Sequence, residues 1–406
     1  MTTHAVDVLI FGGGVAGLWT LDELVRKGYS VLLVEGFALG AGQTVASQGI
    51  IHGGLKYTLT GALTSSAQMI RQMPLIWRDC LAGKRQPDLS AVEMRSQVCH
   101  LWRTETLMSQ FGMVGARVGL NVKPNKLEKS QWPAVLANCP GSVYVMDEQV
   151  IRPTSFIEQL ALPHRDKLLL AAPDDVKITT QSPGQVTTVT LECENEKLTG
   201  LHQTLTIAPR FVILAAGAGN AALRQHIGLE PSAMQRRPLH MAIARGKNLP
   251  VLNGHCVDGA KTRVTVTTDH DAQGNVIWQV GGQVSEDGVA MEPQALIRHT
   301  ISELRACIPD LDLADVQWTT HRVDRAEAST EHGRRPDDVH LTRQGNTFTA
   351  WPTKLALAPR LAELLIAQLD APAVEAPSLP SWPSPPVALP PWETDGPWWP
   401  TADVLR

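Results

Sequence analysis

The stretch VLIFGGGVAGLWTLDELVRKGYSVLLVE, residues 8–35, decides the fold class of this chain. Its first residues continue a short apolar run from residue 5 that is rich in β-branched side chains, which predicts a strand buried on both faces. After a glycine-rich turn, apolar residues with helical spacing predict a helix that ends near Gly28. The apolar run 31–35 predicts a second buried strand. This order of strand, turn, helix and strand indicates an α/β fold with a parallel sheet.

Three glycines in the turn, Gly12, Gly14 and Gly17, have the spacing G-x-G-x-x-G. The first allows a tight turn, the second lets a pyrophosphate approach the backbone, and the third permits close packing of the helix on the sheet. Val15 and Ala16 begin the helix, whose N-terminal N–H groups attract phosphate oxygens. The sequence therefore predicts that these five residues form a dinucleotide site.

Glu35 ends the second predicted strand, where a carboxylate accepts hydrogen bonds from ribose hydroxyls. The same carboxylate repels a 2′-phosphate, which disfavours NADP. An NAD enzyme continues with another plain βαβ unit, but this chain continues with QTVASQGIIHGGLKY, residues 43–57. Polar side chains of that segment are suited to phosphate and ribityl oxygens, so FAD is favoured over NAD. The predicted cofactor residues of the segment are Gln43, Thr44, Ser47, Gln48 and Gly49.

Two later segments complete the predicted cofactor site. FVILAAGAGN, residues 211–220, predicts a buried strand that ends in a small-residue turn at Ala216 and Gly217. NTFTAWPTKLALAPRLAELLIAQL, residues 346–369, predicts a strand, a turn and an apolar helix. That turn is suited to presenting N–H groups to a flavin carbonyl. Its predicted cofactor residues are Pro352, Thr353, Lys354 and Leu355.

Together with VYVMDEQVIRPTSFIEQL, residues 143–160, these segments resemble the FAD-dependent oxidoreductase superfamily of D-amino-acid oxidase, glycine oxidase, sarcosine oxidase and flavin-linked glycerol-3-phosphate dehydrogenase. The resemblance spans roughly residues 5–370. It implies a doubly wound, glutathione-reductase-like Rossmann domain that binds FAD, with a substrate domain of β-sheet plus helix. We predict the FAD domain at 1–85, 146–235 and 325–370, the substrate domain at 86–145 and 236–324, and a tail at 371–406.

The resemblance also implies catalytic residues. His52, in an IHGG sequence, is expected beside the isoalloxazine, where it polarises or deprotonates a substrate hydroxyl or ammonium; a covalent bond to the flavin is an alternative. Arg322 is the first candidate to clamp a substrate carboxylate, and Arg325 is the second. Lys354 is expected to stabilise the anionic reduced flavin. A surface or structural role is the alternative for each of these four residues.

Three further residues follow from the resemblance. Val176 stands where the family contacts adenine through backbone groups, and Lys56 and Tyr57 are expected to line the substrate pocket. The glycerol-phosphate enzymes tend to have Arg-Tyr at the latter position. A lysine keeps the positive charge but lacks the bidentate fork of arginine, which makes a phosphate substrate less favoured.

The predicted activity is oxidation of an amine or alcohol carbon by hydride transfer to flavin N5. The expected substrate is an amino acid, an N-methyl amino acid or a 2-hydroxy acid, and the expected electron acceptor is O2 or a quinone-type carrier. One alternative is a glycerol-3-phosphate-type dehydrogenase. A flavoprotein monooxygenase usually has a later G-D motif, and none is found. The remaining alternative is a non-catalytic FAD-binding or redox-sensing module.

Composition limits the function classes. The formal net charge is -4 with no basic block, which disfavours a nucleic-acid partner. Six widely spaced cysteines without a C-x-x-C argue against disulfides and zinc and fit a reducing compartment, so we expect a cytoplasmic protein without a metal site. No run of about 18 apolar residues predicts a membrane span. The sequence indicates no particular oligomeric state.

The rest of the chain predicts further elements. Residues 69–81 predict a helix, 176–207 a β-meander, and 239–245, 262–270, 276–284 and 315–327 strands of the substrate sheet, with an amphipathic helix at 295–308. The tail has ten prolines and four tryptophans and cannot form regular helix or sheet. We expect it to dock its tryptophans on the body of the protein; a disordered tail or a proline-rich ligand for a partner are the alternatives.

Overall fold

The computed structural model describes residues 2–53, 72–104, 124–194, 202–258, 261–336, 338–394 and 396–406. Lys56 and Tyr57 lie outside these ranges. In the described part of the chain, the strands are β1 (Thr3–Phe11), β2 (Val31–Glu35), β3 (Met94–Ser96), β4 (Cys99–Arg103), β5 (Asn125–Lys126), β6 (Val143–Met146), β7 (Val150–Ile151), β8 (Leu168–Leu170), β9 (Val176–Ser182), β10 (Gln185–Glu194), β11 (His202–Leu214), β12 (Met234–Gly246), β13 (Gly254–Asp258), β14 (Lys261–His270), β15 (Val276–Gly281), β16 (Gln317–Ala328), β17 (His340–Gln344), β18 (Thr347–Trp351) and β19 (Trp399–Pro400).

The α-helices of the same ranges connect and cover these strands. They are α1 (Val15–Arg26), α2 (Met73–Leu81), α3 (Pro153–Ala161), α4 (Asn220–His226), α5 (Gln283–Asp287), α6 (Pro293–Cys307), α7 (Ala358–Ile366) and α8 (Thr401–Val404). No helix within the described residues is both long and apolar enough to cross a membrane. All six cysteines are free.

The first sheet has the order β17-β18-β11-β1-β2-β8, and the β9–β10 hairpin pairs with the first half of β11. Its inner strands run parallel. The central strand is buried on both faces, because Val8 and Ile10 pack among the helices while Val6 and Leu9 pack on the hairpin side. The predicted parallel sheet and the predicted meander are both confirmed.

Helix α1 follows the glycine turn as predicted. It starts at Val15, ends at Arg26, and is followed by Gly28 in the left-handed region at φ +86°. Glycine adopts this conformation at little energetic cost, which explains the stop at that residue. The helix lies between the sheet and helices α3 and α7, so its apolar residues are buried on several sides.

The second sheet has the order β19-β16-β12-β15-β14-β13-β4-β6-β5. It is antiparallel except for the β13–β4 pair. Helix α6 covers one face, and the other face borders a cavity. Side by side on the cavity face, in neighbouring strands, lie His321, Met241, Gly281, Thr265, His255 and Leu101.

The predicted strands at 239–245, 262–270 and 315–327 and the predicted helix at 295–308 are confirmed, although β12 begins earlier, at Met234. The end of one further strand is wrong. The strand predicted to reach residue 284 ends at Gly281, because Gly282 takes φ +91° and α5 begins at the next residue. Strands β4 and β13 were not predicted. How the chain divides into domains stays a prediction.

Candidate active site and cofactor site

A cavity of about 1150 Å³ lies between the two sheets. Typical ligand pockets measure about 300–1000 Å³, so this one has room for a dinucleotide and a small substrate. Of the predicted cofactor residues only Gly17 does not line it. The predicted residues on its wall are Gly12, Gly14, Val15, Ala16, Glu35, Gln43, Thr44, Ser47, Gln48, Gly49, Val176, Ala216, Gly217, Pro352, Thr353, Lys354 and Leu355.

Side chains at Gly12 and Gly17 would collide with the backbone around the glycine turn. Gly12 has φ +106°, and a Cβ on it would lie 2.5 Å from the Cα of Ala216. A Cβ on Gly17 would lie 1.9 Å from the carbonyl oxygen of Gly12, so that residue serves the predicted close packing of the helix. Gly14 faces the hydroxyl of Thr44, which accepts a hydrogen bond from Val15 N–H at 3.2 Å. A polar cradle therefore surrounds the start of α1.

Glu35 is held in place by its own loop. One carboxylate oxygen accepts the N–H of Gly13 at 2.6 Å, and the other accepts the N–H of Phe37 at 3.0 Å. Each oxygen retains a second acceptor position, which suits ribose hydroxyls. Gly13 was not among the predicted site residues. A Cβ there would lie 2.5 Å from Cδ2 of Leu39, so a larger residue at this position would make the Leu39 side chain move.

Gln48 has a different role from the one predicted. Its amide nitrogen donates to the carbonyl oxygens of Thr265 and Gln279, both at 3.0 Å, and so joins the segment after β2 to the second sheet. These two bonds use both N–H groups of the amide, so it has none left to donate to a cofactor. Gly49 has φ +69°, and a Cβ would lie 2.1 Å from the oxygen of Ile151.

The turn after β18 carries backbone strain at the cavity wall. Thr353 has φ +61°, an unusual conformation for a β-branched residue. Its hydroxyl donates to the carbonyl oxygen of Asp338 at 2.7 Å, and the N–H of Lys354 bonds back to Pro352 at 2.7 Å. A short 3₁₀ turn, Leu355–Leu357, then leads into α7. The strained turn brings backbone groups to the cavity, in agreement with the expected contact to a flavin.

Three titratable side chains meet on the wall of the cavity: His52, Glu148 and His255. Glu148 lies 3.5 Å from Nδ1 of His52 and 3.9 Å from Nε2 of His255. Its other oxygen accepts the N–H of Gly53 at 2.6 Å. The hydroxyl of Thr265 lies 2.9 Å from Nδ1 of His255 and orients that ring. We call these three residues the His–Glu–His cluster.

Charge in the cluster is set by Glu148. Burial alone would raise the pKa of this carboxyl, but the hydrogen bond from His52, the charges of His52 and His255 and the N–H of Gly53 outweigh it, so the pKa lies below its usual range. Glu148 is therefore ionised at neutral pH. Among the described residues, the cluster is also the one group of this kind whose spacing suits a metal ion.

Sequence reasoning identified His52 but missed Glu148 and His255. Glu148 follows β6, and His255 lies on β13, a short strand that was not predicted. The available signal was an acid directly after an apolar strand, within the 143–160 segment already identified as characteristic. The parallel pairing of β13 with β4 brings His255 next to the carboxylate, and no local pattern reveals that pairing.

The two candidate arginines of β16 have different surroundings. Arg322 pairs with His240 across the strands, and its guanidinium donates to the carbonyl oxygens of Val289 and Met291 at 2.8 and 3.0 Å. Arg325 lies three residues after Arg322 on the same strand. Because successive side chains of a strand alternate between the two faces of the sheet, its side chain points to the opposite face. It donates to Glu286 at 3.2 Å on the cavity wall.

Arg325 belongs to a cluster of charged groups. Its Nε donates to the carbonyl oxygen of Arg237, whose own guanidinium binds both oxygens of the buried Glu327 at 3.1 and 3.3 Å. Arg335, on the cavity wall, lies 3.9 Å from the same carboxylate. This end of the cavity therefore holds more arginines than carboxylates and favours an anion.

Comparisons with known proteins agree with this arrangement. The family described as FAD dependent oxidoreductase (DAO) matches residues 7–352. A probable FAD-dependent oxidoreductase of Pseudomonas aeruginosa is 39% identical over 397 residues, which is 96% of this chain and 98% of the relative. The crystal structure of an FAD dependent oxidoreductase from Pseudomonas aeruginosa has a TM-score of 0.81 at 36% identity and covers 97% of this chain and 99% of its own.

A more distant structure shares the fold. L-α-glycerophosphate oxidase from Mycoplasma pneumoniae, with FAD bound, has a TM-score of 0.62 at 16% identity and covers 96% of this chain and 100% of its own. The glycine turn, the carboxylate of Glu35 and the cavity volume all suit FAD. The chain belongs to the DAO family of FAD-dependent oxidoreductases, and its cofactor is FAD.

Proposed function

We propose that the protein removes a hydride from a carbon bearing a hydroxyl or amino group in a small anionic substrate: an amino acid, an N-methyl amino acid or a 2-hydroxy acid. The observation that carries this proposal is the His–Glu–His cluster on the wall of the cofactor cavity. FAD, when bound, accepts the hydride at flavin N5. The side chains of the protein hold the substrate and take up the proton that it loses.

His52 accepts that proton in this proposal. Its side chain is 45% exposed, so a substrate in the cavity can reach it, whereas Glu148 is 2% exposed. Because Glu148 is ionised, its charge stabilises the imidazolium that forms when His52 takes a proton. Glu148 also orients the ring through Nδ1, which leaves Nε2 for the substrate. Glu148 and His255 act through His52 and are positioning residues.

Arg325 anchors the anionic group. Its contacts with Glu286 and with the carbonyl oxygen of Arg237 fix the guanidinium on the cavity wall, which suits recognition of a carboxylate. Both arginines line the cavity. We prefer Arg325 because the charges of Arg237 and Arg335 lie beside it. The guanidinium of Arg322 instead donates to two carbonyl oxygens of the 288–291 turn. Lys354, in the strained turn, remains our candidate for stabilising negative charge on the reduced flavin.

A glycerol-3-phosphate-type substrate is the second candidate. A phosphate carries up to two negative charges and needs more than one cation. Arg237 and Arg335 lie against the buried Glu327, and Arg325 pairs with Glu286. Three guanidiniums therefore face two carboxylates at this end of the cavity, which leaves positive charge in excess for a phosphate. The His–Glu–His cluster would serve an alcohol of this kind equally well.

The test is anaerobic mixing of the purified holoprotein with amino acids, N-methyl amino acids, 2-hydroxy acids and glycerol-3-phosphate, while the blue absorption band of the flavin is followed. We expect one class to bleach the band and the His52→Asn variant, still loaded with FAD, to bleach at least about a hundredfold more slowly. Bleaching by glycerol-3-phosphate alone would select the second candidate. A yellow protein that no compound bleaches would favour the non-catalytic FAD-binding module.

The same preparation identifies the electron acceptor, which we propose to be O2 or a quinone-type carrier. Reoxidation of the bleached protein is followed after adding air-saturated buffer or a soluble quinone. Acid precipitation separates the two modes of flavin attachment, because a flavin bonded covalently to His52 stays with the denatured protein. We expect the flavin to remain in the supernatant.

A further inference from the structure

The C-terminal segment 371–406 lies beyond residue 352, where the family match ends. It is extended for most of its length and touches both sheets. The expectation that it forms no regular structure is wrong at its end, where β19 and α8 lie. Its prolines lack an N–H but keep a carbonyl acceptor, so the segment is suited to binding donors presented by the rest of the protein. The tail predicted to dock on the body of the protein does so, at three successive places.

The first place is the first sheet, at its central strand β1 and at its outer strand β8. The N–H of Ala373 donates to Asp7 at 3.0 Å. Further on, the indole of Trp382 donates to the carbonyl oxygen of Leu170 at 2.9 Å, and the N–H of Leu170 donates to Pro383 at 2.8 Å. Leu170 belongs to β8, the last strand of this sheet, so the tail satisfies backbone groups that an edge strand would otherwise expose.

The second place is the loop that supports the glycine turn. Leu39 exchanges two backbone hydrogen bonds with the tail, to Pro386 at 2.7 Å and from Ala388 at 3.0 Å. The side chain of Leu39 in turn fills the space beside Gly13. Leu39 thus contacts the tail with its backbone and the glycine turn with its side chain. A single residue connects the tail to the predicted phosphate site.

The third place is the second sheet. Trp392 is 4% exposed and packs on Ile243 and Ile277. Trp399 pairs with Trp318 on the outer strand β16, and the indole of Trp318 donates to the hydroxyl of Thr401 at 2.8 Å. A segment anchored at both ends in this way spans the gap between the two sheets.

Between these anchors the tail borders the cavity itself through Leu389, Pro391 and Thr394. Leu389 has 63% of its surface exposed although it lines the cavity, so its apolar side chain lacks the cover that the buried residues of the protein have. An exposed apolar side chain at the wall of a ligand cavity gains contact area when the cavity is filled.

We propose that residues 389–394 form a third wall of the FAD site, and that the tail holds the two sheets together around the cofactor. FAD bound in the cavity covers the side chain of Leu389, and release of FAD requires this wall to open. The role is separate from substrate oxidation and is tested by flavin binding alone.

The test measures release of FAD after dilution of the holoprotein, from the rise in flavin fluorescence. Three variants are compared with the wild type: Leu389→Ala, Leu405→Ala, and a chain that ends at Ala388. Leu405 is a matched control, because it is also a tail leucine, 44% exposed, and does not line the cavity. We expect release about three- to tenfold faster for Leu389→Ala and unchanged for Leu405→Ala.

We expect the shortened chain to release FAD still faster than Leu389→Ala, since it loses the whole wall and the anchor on β16. Unchanged release in Leu389→Ala, or equal acceleration in both leucine variants, would overturn the proposal. If the shortened chain does not fold by circular dichroism, the leucine pair alone decides. If it folds and retains FAD as the wild type does, the tail is not a wall of the site.

Discussion

The two sheets contribute to one cavity in different ways. On the first sheet, the wall includes the glycine turn, which has no side chains at Gly12 and Gly14, and Glu35, and both come from a single βαβ unit. On the second sheet, the wall consists of side chains from strands far apart in the chain, including His255 and Arg325. A wall formed by backbone requires glycines, which leave space for the ligand. A wall formed by side chains requires that particular groups from distant strands come close together.

This difference predicts that substitutions in the two halves fail differently. A change in the glycine turn alters the shape of the backbone and affects both stability and cofactor binding. A change in the His–Glu–His cluster leaves the shape intact and affects the reaction. Paired variants in the two halves separate the effects on FAD content, stability and turnover.

The largest effect is expected for Glu148→Gln. The amide keeps the size of the side chain but removes the charge that stabilises the imidazolium of His52, so kcat should fall by about 100- to 1000-fold. FAD content should stay at the wild-type level. The measurement is single-turnover bleaching by the substrate found in the panel, together with the flavin-to-protein absorbance ratio.

Asp147→Asn is the matched control, because this neighbouring acid is 70% exposed and pairs with Arg78 at the surface. It should bleach at the wild-type rate. Equal losses in the two variants, or loss of FAD from Glu148→Gln, would contradict the division between a cofactor half and a reaction half.

Dialysis against a chelator tests whether the His–Glu–His cluster holds a metal ion instead. A fall in wild-type turnover after dialysis would indicate a metal ion there.

The second effect concerns the glycine turn. Gly17→Ala places a Cβ 1.9 Å from the carbonyl oxygen of Gly12, and that atom belongs to the backbone of the turn. We expect a loss of about 3 kcal/mol in the free energy of unfolding, with weaker FAD binding because the turn must shift. Urea unfolding and fluorescence titration of the apoprotein with FAD measure the two quantities.

Gly28→Ala at the other end of α1 is the comparison. It has φ +86° but no atom within 4 Å of the added Cβ, so only backbone strain of about 1–2 kcal/mol is expected. FAD affinity should not change. If Gly28→Ala weakens FAD binding as much as Gly17→Ala does, helix stability rather than the shape of the turn controls the cofactor.

The same difference explains what the sequence could predict. Strand β1, helix α1 and strand β2 follow from local spacing, and so does the position of most predicted cofactor residues on the cavity wall. The reason is that the contacts of the glycine turn lie in or beside one short unit. Gln48 is the exception, since its partners Thr265 and Gln279 belong to the other sheet. Glu148 and His255 could not be predicted for the same reason: their meeting depends on how distant strands pair.

The third effect separates the two arginines of β16. Strand alternation implies that Arg322 and Arg325 point to opposite faces, but no local pattern tells which face borders the cavity. Arg325→Met should raise the KM for the anionic substrate about 10- to 100-fold with little change in kcat. Arg322→Met should leave KM near the wild-type value. The opposite result would restore the first sequence-based assignment of Arg322.

The smallest effect is on stability at acid pH, and it compares one buried acid from each half. Hydrogen bonds and charges from His164 and Arg26 outweigh burial at Asp22 on α1, as the two histidines do at Glu148, so each pKa lies below its usual value, 3.8 and 4.5 respectively. A lowered pKa in the folded state stabilises the protein above the unfolded pKa, and this stabilisation is lost as the pH falls through the folded value. The wild type should therefore exceed Glu148→Gln in free energy of unfolding by less as the pH falls below 4.5, and exceed Asp22→Asn by less only below 3.8.

A difference in free energy of unfolding between the wild type and Glu148→Gln that does not depend on pH would mean that the carboxylate acts through its shape rather than through its charge. The two halves of the cavity would then be more alike than their composition indicates.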